Sequence, residues 1–331
     1  MFKTLKNDIP ASIVVFFVAL PLCLGIAVAS DAPPFAGLIA GIIGGIVVGA
    51  ISGSQVGVSG PAAGLAAIVL ASIASLGYEA FLVAVVLGGV IQIVFSILKL
   101  GIIGYYFPSS VIKGMLTGIG IIIILKQIPH FFGIDKDPEG NFVLFGNDSN
   151  VLMDIINIPE NLGIGSTLVA LLAIGILILW SQVLVHKHSI FKMIQGPLVA
   201  VIAGVVFFIL TQGTSMDIAG THLVKVPVPE GIDSFLGQFT LPDFSVIGST
   251  EVWITAFTIA LVASLETLLC VEATDKLDPE KRVTPTNREL LAQGTGNILS
   301  GMVGGIPITQ VIVRSSANIQ SGNKTKLSAI I

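Results

Sequence analysis

The sequence predicts an all-α protein that crosses a membrane many times, and two observations lead to that prediction. Hydrophobic residues make up 53% of the 331 positions and charged residues only 11%, which is less than half the share of about 25% in a soluble domain. The apolar residues also fall into about ten runs of the length that a membrane-spanning helix needs. This composition excludes a globular cytoplasmic enzyme, a disordered chain and a disulfide scaffold.

The predicted spans follow one another along the whole chain. Because a helix in lipid satisfies its own backbone hydrogen bonds, each apolar run is expected to be largely helical. The third run has an irregular start, and the ninth is rich in glycine. The ten spans are Ile9–Ala29, Phe35–Ile51, Val56–Leu76, Ala80–Leu98, Ser109–Ile128, Gly163–Val183, Gln195–Thr211, Val252–Val271, Leu290–Val303 and Ile308–Ile331.

The basic residues predict the orientation of these spans, because cytoplasmic connections have an excess of Lys and Arg. With the N-terminus in the cytoplasm, 12 of the 16 basic residues lie on the cytoplasmic side and 3 on the external side. The two long external loops are acidic, and the chain has no basic tract of the kind that binds nucleic acid. We therefore expect a multi-pass protein of the cell membrane, the inner membrane in a bacterium, with a cytoplasmic N-terminus.

Two of the spans break the helical pattern in the same way. The third opens with SGSQVGVSGP, from Ser52 to Pro61, before a helical run, and the tenth opens with GGIPITQVIVRSS, from Gly304 to Ser316. Such backbone is tolerated at membrane depth only where it is buried in protein or lines a cavity. A pair of interrupted segments in the two halves of a chain is typical of a transporter's binding site.

The same two segments predict the charge of the ligand. Pro61 suits the first turn of a helix and Ser59 can cap that end, so a half-helix is expected to direct free amide hydrogens into a cavity. With Arg314, the basic residue left inside the tenth span, two such half-helices would form a cationic pocket for a small anion. The alternatives are that Ser59–Pro61 is an ordinary kink and that Arg314 reaches water from a helix end.

Glu266 is an acid that lies well inside the eighth span. An ionised carboxylate there costs about 2.5 kcal/mol or more to insert, so it must be paired, protonated or functional. The residues alone leave three roles open, which are an ion pair with Arg314, a proton carrier and a ligand of a coupling cation.

Several segments resemble the SulP family of inorganic anion transporters, and the resemblance extends over the whole chain. Each segment alone is a weak indication, whereas together they are highly specific. The segments are Gln55–Pro61, Val111–Gly114, Ser264–Leu269, Gln293–Gly301, Gly304–Pro307, Arg314–Ser316 and Lys324–Lys326.

The resemblance implies a fold of two inverted seven-segment repeats with two half-helices, of which this chain would supply about ten segments. It places the core domain at 1–100 and 251–331 and the gate domain at 101–212. The remaining segments, the cytoplasmic STAS domain of many members and assembly as a homodimer would belong to a longer protein. The apolar end of the chain at Ala329–Ile331 leads to the same expectation.

By the same resemblance, the anion would bind at the starts of the two half-helices. The residues implied are Ser59, Gly60, Pro61, Ala62, Ala63, Val313, Arg314 and Ser315, with Leu22 and Cys23 of the first span lining the pocket. In sodium-coupled bicarbonate transporters of the family, the cation site has an acid and two threonines. Here the corresponding residues are Glu266, Cys270 and Ile312. Because sodium prefers hard oxygen donors, proton coupling or exchange is favoured over sodium.

The predicted function is secondary active transport of a small inorganic anion such as sulfate or bicarbonate, with no catalysis, cofactor or metal. An intramembrane serine protease is the enzyme alternative, because Gly57–Gly60 has a G-x-S-G pattern. All four histidines lie at span ends or in loops, where none can act as the base. A nucleobase permease of the same architecture and an anion channel remain alternatives. An arginine in the pocket favours an oxyanion over a nucleobase, and a saturable, counter-transported flux would distinguish a carrier from a channel.

Overall fold

The structure is a computed structural model that divides into two compact units, one of residues 1–112 and 226–331 and the other of residues 113–225. Most of the first predicted acidic loop, part of the second and most of the basic connection after the sixth span lie outside the described residues. The described residues are 4–106, 109–134, 162–184, 187, 196–214, 216–218, 228 and 231–331.

Helices account for most of the described residues. The two strands have three residues each, α2 contains a π-helical turn, and α3 opens with a 3-10 turn at Ala63–Leu65. Most of α5, together with α6 and α7, belongs to the second unit. In chain order the elements are α1 (Leu5–Val28), α2 (Pro34–Ile51), β1 (Ser59–Pro61), α3 (Ala63–Leu76), α4 (Tyr78–Ile97), α5 (Ser109–Phe132), α6 (Ile164–Leu184), α7 (Gly196–Thr211), α8 (Ile232–Leu236), α9 (Thr250–Leu277), α10 (Thr286–Met302), β2 (Ile308–Gln310), α11 (Ile312–Gln320) and α12 (Leu327–Ile330).

Among the described residues, α1, α2, α4, α6 and α9 are long and apolar enough to cross a membrane. Each of the ten predicted spans contains helix, but the tenth is wrong as a single span. It consists of β2, α11 and α12, and α11 ends where Gly322 adopts a φ of +80°. A glycine in this left-handed conformation is a common helix terminator, because a side chain there would be strained.

Helix α4 lies inside the first unit, and α10 packs closely along it. The five consecutive residues Phe81–Val85 have no exposed surface, as expected for a helix that is apolar on all sides. A Cβ atom on Gly294 would lie 2.7 Å from the carbonyl oxygen of Gly89, and one on Gly301 would lie 2.9 Å from that of Leu82. Glycines therefore let the backbones of α4 and α10 approach each other closely, which fixes the position of α10.

In the second unit, α6 packs against α7. The contact is close at Gly204, where a Cβ atom would meet Val169 at 3.6 Å. Only 6% of the residues in an apolar 18-residue stretch of α6 are buried. Such an apolar and exposed helix is suited to lipid on its remaining sides.

Candidate functional site

The two interrupted segments cross each other as an antiparallel pair of strands. Ser59 pairs with Gln310 and Pro61 with Ile308. Helix α3 starts at Ala63, soon after β1, and α11 starts at Ile312, soon after β2. Because the strands are antiparallel, the two half-helices leave the strand pair in opposite directions while both begin beside it.

This pairing corrects two details of the sequence prediction. Pro61 is the last residue of β1 and not part of a first helical turn. A proline has no N–H to donate and is tolerated in an edge strand, and β1 is an edge of the two-stranded sheet. Ser59 does not cap α3, because its Oγ accepts a hydrogen bond from Gln293 Nε2 at 2.8 Å. No side chain caps the 3-10 turn that begins α3.

Buried polar side chains of α10 support one face of the strand pair. Asn297 Oδ1 accepts from the Ile308 amide at 2.6 Å, and Asn297 Nδ2 donates to the Ile308 carbonyl at 3.1 Å. The strand thus finds the backbone partners that a continuous helix would have provided. These side chains form a polar stripe along one face of α10, at the spacing of helical turns. Its members have no exposed surface, and they are Glu289, Gln293, Asn297 and Ser300.

Glu289 is a buried acid that was not among the predicted site residues, because it precedes the predicted ninth span. Its carboxylate accepts from Ser52 Oγ at 2.5 Å and from Gln293 Nε2 at 3.0 Å. Asp8 is equally buried, and it accepts from the amides of Lys324 and Thr325. The repeat of Glu289 and Gln293 at a four-residue interval was the signal in the sequence that could have revealed this stripe.

Arg314 lies in the first turn of α11, and it has the largest fully buried side chain of the residues described. Its Nη2 donates to the Pro61 carbonyl at 3.4 Å, a long hydrogen bond, and its Nε has no hydrogen-bond partner. It forms no ion pair with any carboxylate that the structure describes. A buried charge left uncompensated costs several kcal/mol, so an anion would supply the partner that Arg314 lacks.

Small residues make the space around the Arg314 guanidinium. A Cβ atom on Gly60 would overlap Arg314 Nη1, so the guanidinium packs directly on the β1 backbone. The buried Cys23 thiol of α1 lies within hydrogen-bonding reach of Arg314. A Cβ atom on Gly41 would lie 2.6 Å from Cys23 Sγ, so α2 also approaches closely through a glycine. Because neighbouring strand residues face opposite sides, Gly60 faces Arg314 and Ser59 faces Gln293.

Glu266 binds the start of the other half-helix. The Gly64 amide donates to its carboxylate, and its Oε2 is buried without a donor. No ion pair joins Glu266 to Arg314, so the structure rules out the ion-pair role. The two remaining roles, proton carrier and cation ligand, are not distinguished by these contacts.

Cys270 lies one turn after Glu266 on α9 and binds the start of α11. The Ile312 amide donates to the Cys270 thiol. Two side chains on one face of α9 therefore contact the first amides of both half-helices.

The other predicted site residues divide into exposed and structural positions. Leu22 is 37% exposed and Val313 is 50% exposed, and Ala63 is also exposed. Ala62 is buried. Ser315 Oγ accepts from the Val58 amide and donates to the Val311 carbonyl, which ties α11 to β1. Among the residues that the structure describes, no group of three or more His, Cys, Asp or Glu side chains could hold a metal ion.

The interrupted strand pair, the two half-helices and the buried arginine agree with a match to a family model. The model described as the sulfate permease family matches residues 5–331. The chain belongs to the sulfate permease family. This match confirms the predicted resemblance.

Members of the sulfate permease family resemble the chain along nearly its whole length. YvdB of Bacillus subtilis (strain 168) is 28% identical over 98% of this chain, and the bicarbonate transporter BicA of Picosynechococcus sp. is 28% identical over 100% of it. The chain covers 58% of YvdB and 56% of BicA, so it spans little more than half the length of these relatives. The relatives and solved neighbours are transporters, which confirms the prediction that the chain is not an enzyme.

Solved structures confirm the fold class of this family member. The transmembrane domain of a cyanobacterial bicarbonate transporter, BicA, matches with a TM-score of 0.76 and 28% identity, over 100% of this chain and 80% of that one. The murine anion transporter Slc26a9 in an inward-facing state matches with a TM-score of 0.71 and 17% identity, over 100% of this chain and 55% of that one. The second match shows the fold alone.

Proposed function

We propose that the protein is a secondary active transporter of a small inorganic anion of the sulfate or bicarbonate class, and that the anion binds at Arg314. The observation that supports this most directly is the buried guanidinium with no ion pair and an unpartnered Nε. A guanidinium binds oxyanions well, because its planar donors match two oxygens at once. The names of relatives, a bicarbonate transporter and sulfate transporter 4.1 of Arabidopsis thaliana, agree with this class of substrate.

The anion site would combine side-chain and backbone donors. Arg314 supplies the charge, the Gly60 backbone and the Cys23 thiol lie against the guanidinium, and the exposed side chains of Leu22 and Val313 line the approach. The remaining predicted residues would shape the end of β1 and the starts of the two half-helices; they are Pro61, Ala62, Ala63 and Ser315. Ser59 would not contact the anion, because its hydroxyl accepts a hydrogen bond from Gln293.

The unit of residues 1–112 and 226–331 would be the core domain, and that of residues 113–225 would belong to the gate domain. We place the N-terminus in the cytoplasm, because most basic residues then lie on that side. The full-length protein would be a homodimer, in a bacterium in the inner membrane.

Glu266 would couple the anion to a proton. A proton on this carboxylate offsets the charge of the anion, which eases its passage through a low-dielectric core. Sodium coupling, as in some bicarbonate transporters of the family, is the alternative. It is disfavoured because Cys270 offers a thiol and Ile312 an alkyl side chain in place of hard oxygens.

The test is transport by the full-length protein in liposomes. Uptake of labelled sulfate, bicarbonate and fumarate is measured with and without proton and sodium gradients. We expect saturable uptake of an inorganic anion that speeds up as the external pH falls. Glu266→Gln, which mimics the protonated acid, is expected to flatten that pH dependence while anion binding stays measurable. A steeply sodium-dependent flux that is indifferent to pH would instead make Glu266 a cation ligand, and a non-saturable flux would indicate a channel.

A further inference from the structure

The amino ends of the two half-helices have different partners on α9, although these partners are only one turn apart. The start of α11 donates its Ile312 amide to the neutral thiol of Cys270, whereas the start of α3 donates its Gly64 amide to the carboxylate of Glu266. Amide groups at a helix start attract anions, because the helix dipole puts a partial positive charge there. One of the two half-helix ends therefore already holds an anion that belongs to the protein.

The contact between Glu266 and Gly64 is close and depends on the glycine. A Cβ atom on Gly64 would lie 2.8 Å from Glu266 Oε1 and 2.9 Å from Oε2, so the carboxylate lies directly over the Cα atom of Gly64. Ala63 and Gly64 are both exposed, so a small ligand could reach this amide if the carboxylate moved away. Glu266 Oε2 has no donor, which means that the carboxylate gains little else in this position.

The charged side chains around the strand pair do not neutralise one another. Arg314, fully buried, has an unpartnered Nε and no carboxylate within ion-pair distance. Of the two buried acids near the strands, Glu289 bonds Ser52 and Gln293, and Glu266 binds the Gly64 amide. Arg314 Nη2 donates to the Pro61 carbonyl, and Gly64 lies three residues further along the same segment. A small anion that bound Arg314 and the Gly64 amide together would have to replace Glu266 at the amide.

We propose that Glu266 is an internal competitor that occupies the Gly64 amide at the start of α3, and that the transported anion must displace its carboxylate in order to bind. This inference rests on the proposed function. It explains how a coupling cation could act, because a proton or any cation that neutralises the carboxylate would release the amide to the anion. The anion would therefore bind tightly only when the carboxylate of Glu266 has been neutralised.

Equilibrium binding of sulfate and of bicarbonate to the full-length protein in lipid nanodiscs, at one fixed pH, tests the proposal. Glu266→Asp keeps the negative charge but shortens the side chain, so it can no longer reach the Gly64 amide. Glu266→Gln keeps the length and removes the charge. Glu272→Asp is the matched control, since Glu272 lies on the same helix and pairs with Lys276.

We expect both substitutions at Glu266 to tighten binding at least about threefold, which corresponds to the modest worth of an anion at a helix start, and Glu272→Asp to leave it unchanged. If Glu266→Gln tightens binding and Glu266→Asp does not, charge alone acts and occupancy of the amide is overturned. If the wild type binds an anion and a further variant, Arg314→Ala, weakens that binding, but neither Glu266 substitution strengthens it, the competition is wrong while the proposed function stands. If neither anion binds to the wild type or to any variant, both are wrong.

Discussion

The two faces of the β1–β2 pair differ in the kind of buried polar group left without a partner, which is the neutral Gln293 Oε1 on the α10 face and the charged Arg314 on the other. On the α10 face, Asn297 bonds both backbone groups of Ile308 and also Gln92 Oε1 at 2.6 Å. On the opposite face, Arg314 has a long hydrogen bond to the Pro61 carbonyl, the Cys23 thiol within reach and an unpartnered Nε. An unpartnered neutral oxygen costs less than an unpartnered charged group, and a binding site needs a group that only its ligand satisfies. The difference therefore favours the α10 face as the support and the Arg314 face as the site.

Removing the support should have the largest effect. Asn297→Ala is expected to lower the free energy of unfolding by about 3 kcal/mol or more, because two buried backbone groups lose their partners at about 1–3 kcal/mol each. Unfolding of the purified protein in detergent measures the change. Thr295→Ala is the control, since Thr295 Oγ1 bonds only within α10, to the Leu291 carbonyl. Equal stability of the two variants would mean that the strand pair does not depend on α10.

Removing the cation should weaken binding rather than folding. Arg314→Ala is expected to lower anion affinity by roughly 1.5–3 kcal/mol, about ten- to hundredfold, because a charge-assisted contact is lost. A divalent anion such as sulfate should lose more than a monovalent one. Binding assays with both anions measure this difference. An equal effect on neutral and anionic solutes would show that Arg314 is structural and would erase the contrast between the two faces.

Moving the cation without removing it is a finer test of the same face. Gly60→Ala places a methyl group where Arg314 Nη1 lies, so the guanidinium must shift and anion affinity should fall about tenfold, as for one lost hydrogen bond to a charged group. Gly25→Ala is the control, because a Cβ atom there meets nothing within 4 Å. Similar affinities for the two variants would show that the anion does not depend on the placement of Arg314.

The smallest effect on binding is expected at Ser59, a residue that the family resemblance assigns to the anion site. Its hydroxyl faces Gln293, so Ser59→Ala should change anion affinity less than about twofold and cost about 1 kcal/mol of stability. The same binding and unfolding assays measure both values. A large loss of affinity would return Ser59 to the site and make both faces of the strand pair functional.

The interruptions at β1 and β2 could be predicted, because glycine, proline and β-branched residues in an apolar span are conspicuous, and so could Arg314 and Glu266 as charges inside spans. The pairing of Ser59 with Gln310 could not, because strand register is set by tertiary contacts between distant segments. The partner of Glu266 was missed for a similar reason. Its contact is the backbone amide of Gly64, and a backbone group has no signature in the sequence. The four-residue interval between Glu289 and Gln293 is present in the sequence. It was not taken as a buried stripe, because Glu289 precedes the predicted ninth span and Gln293 lies near its start.

The strand pair also sets a time order on biosynthesis. Ser59 and Gln310, which pair in the finished protein, are separated by about 250 positions, and ribosomes add roughly 5–20 residues per second. The nascent β1 segment must therefore wait roughly 10–50 s in or beside the bilayer before its partner strand and Asn297 of α10 have both been made. Unpaired backbone in lipid is costly, so this segment would be the last part of the first half to settle and a point where the translocation machinery or a chaperone has reason to hold the chain.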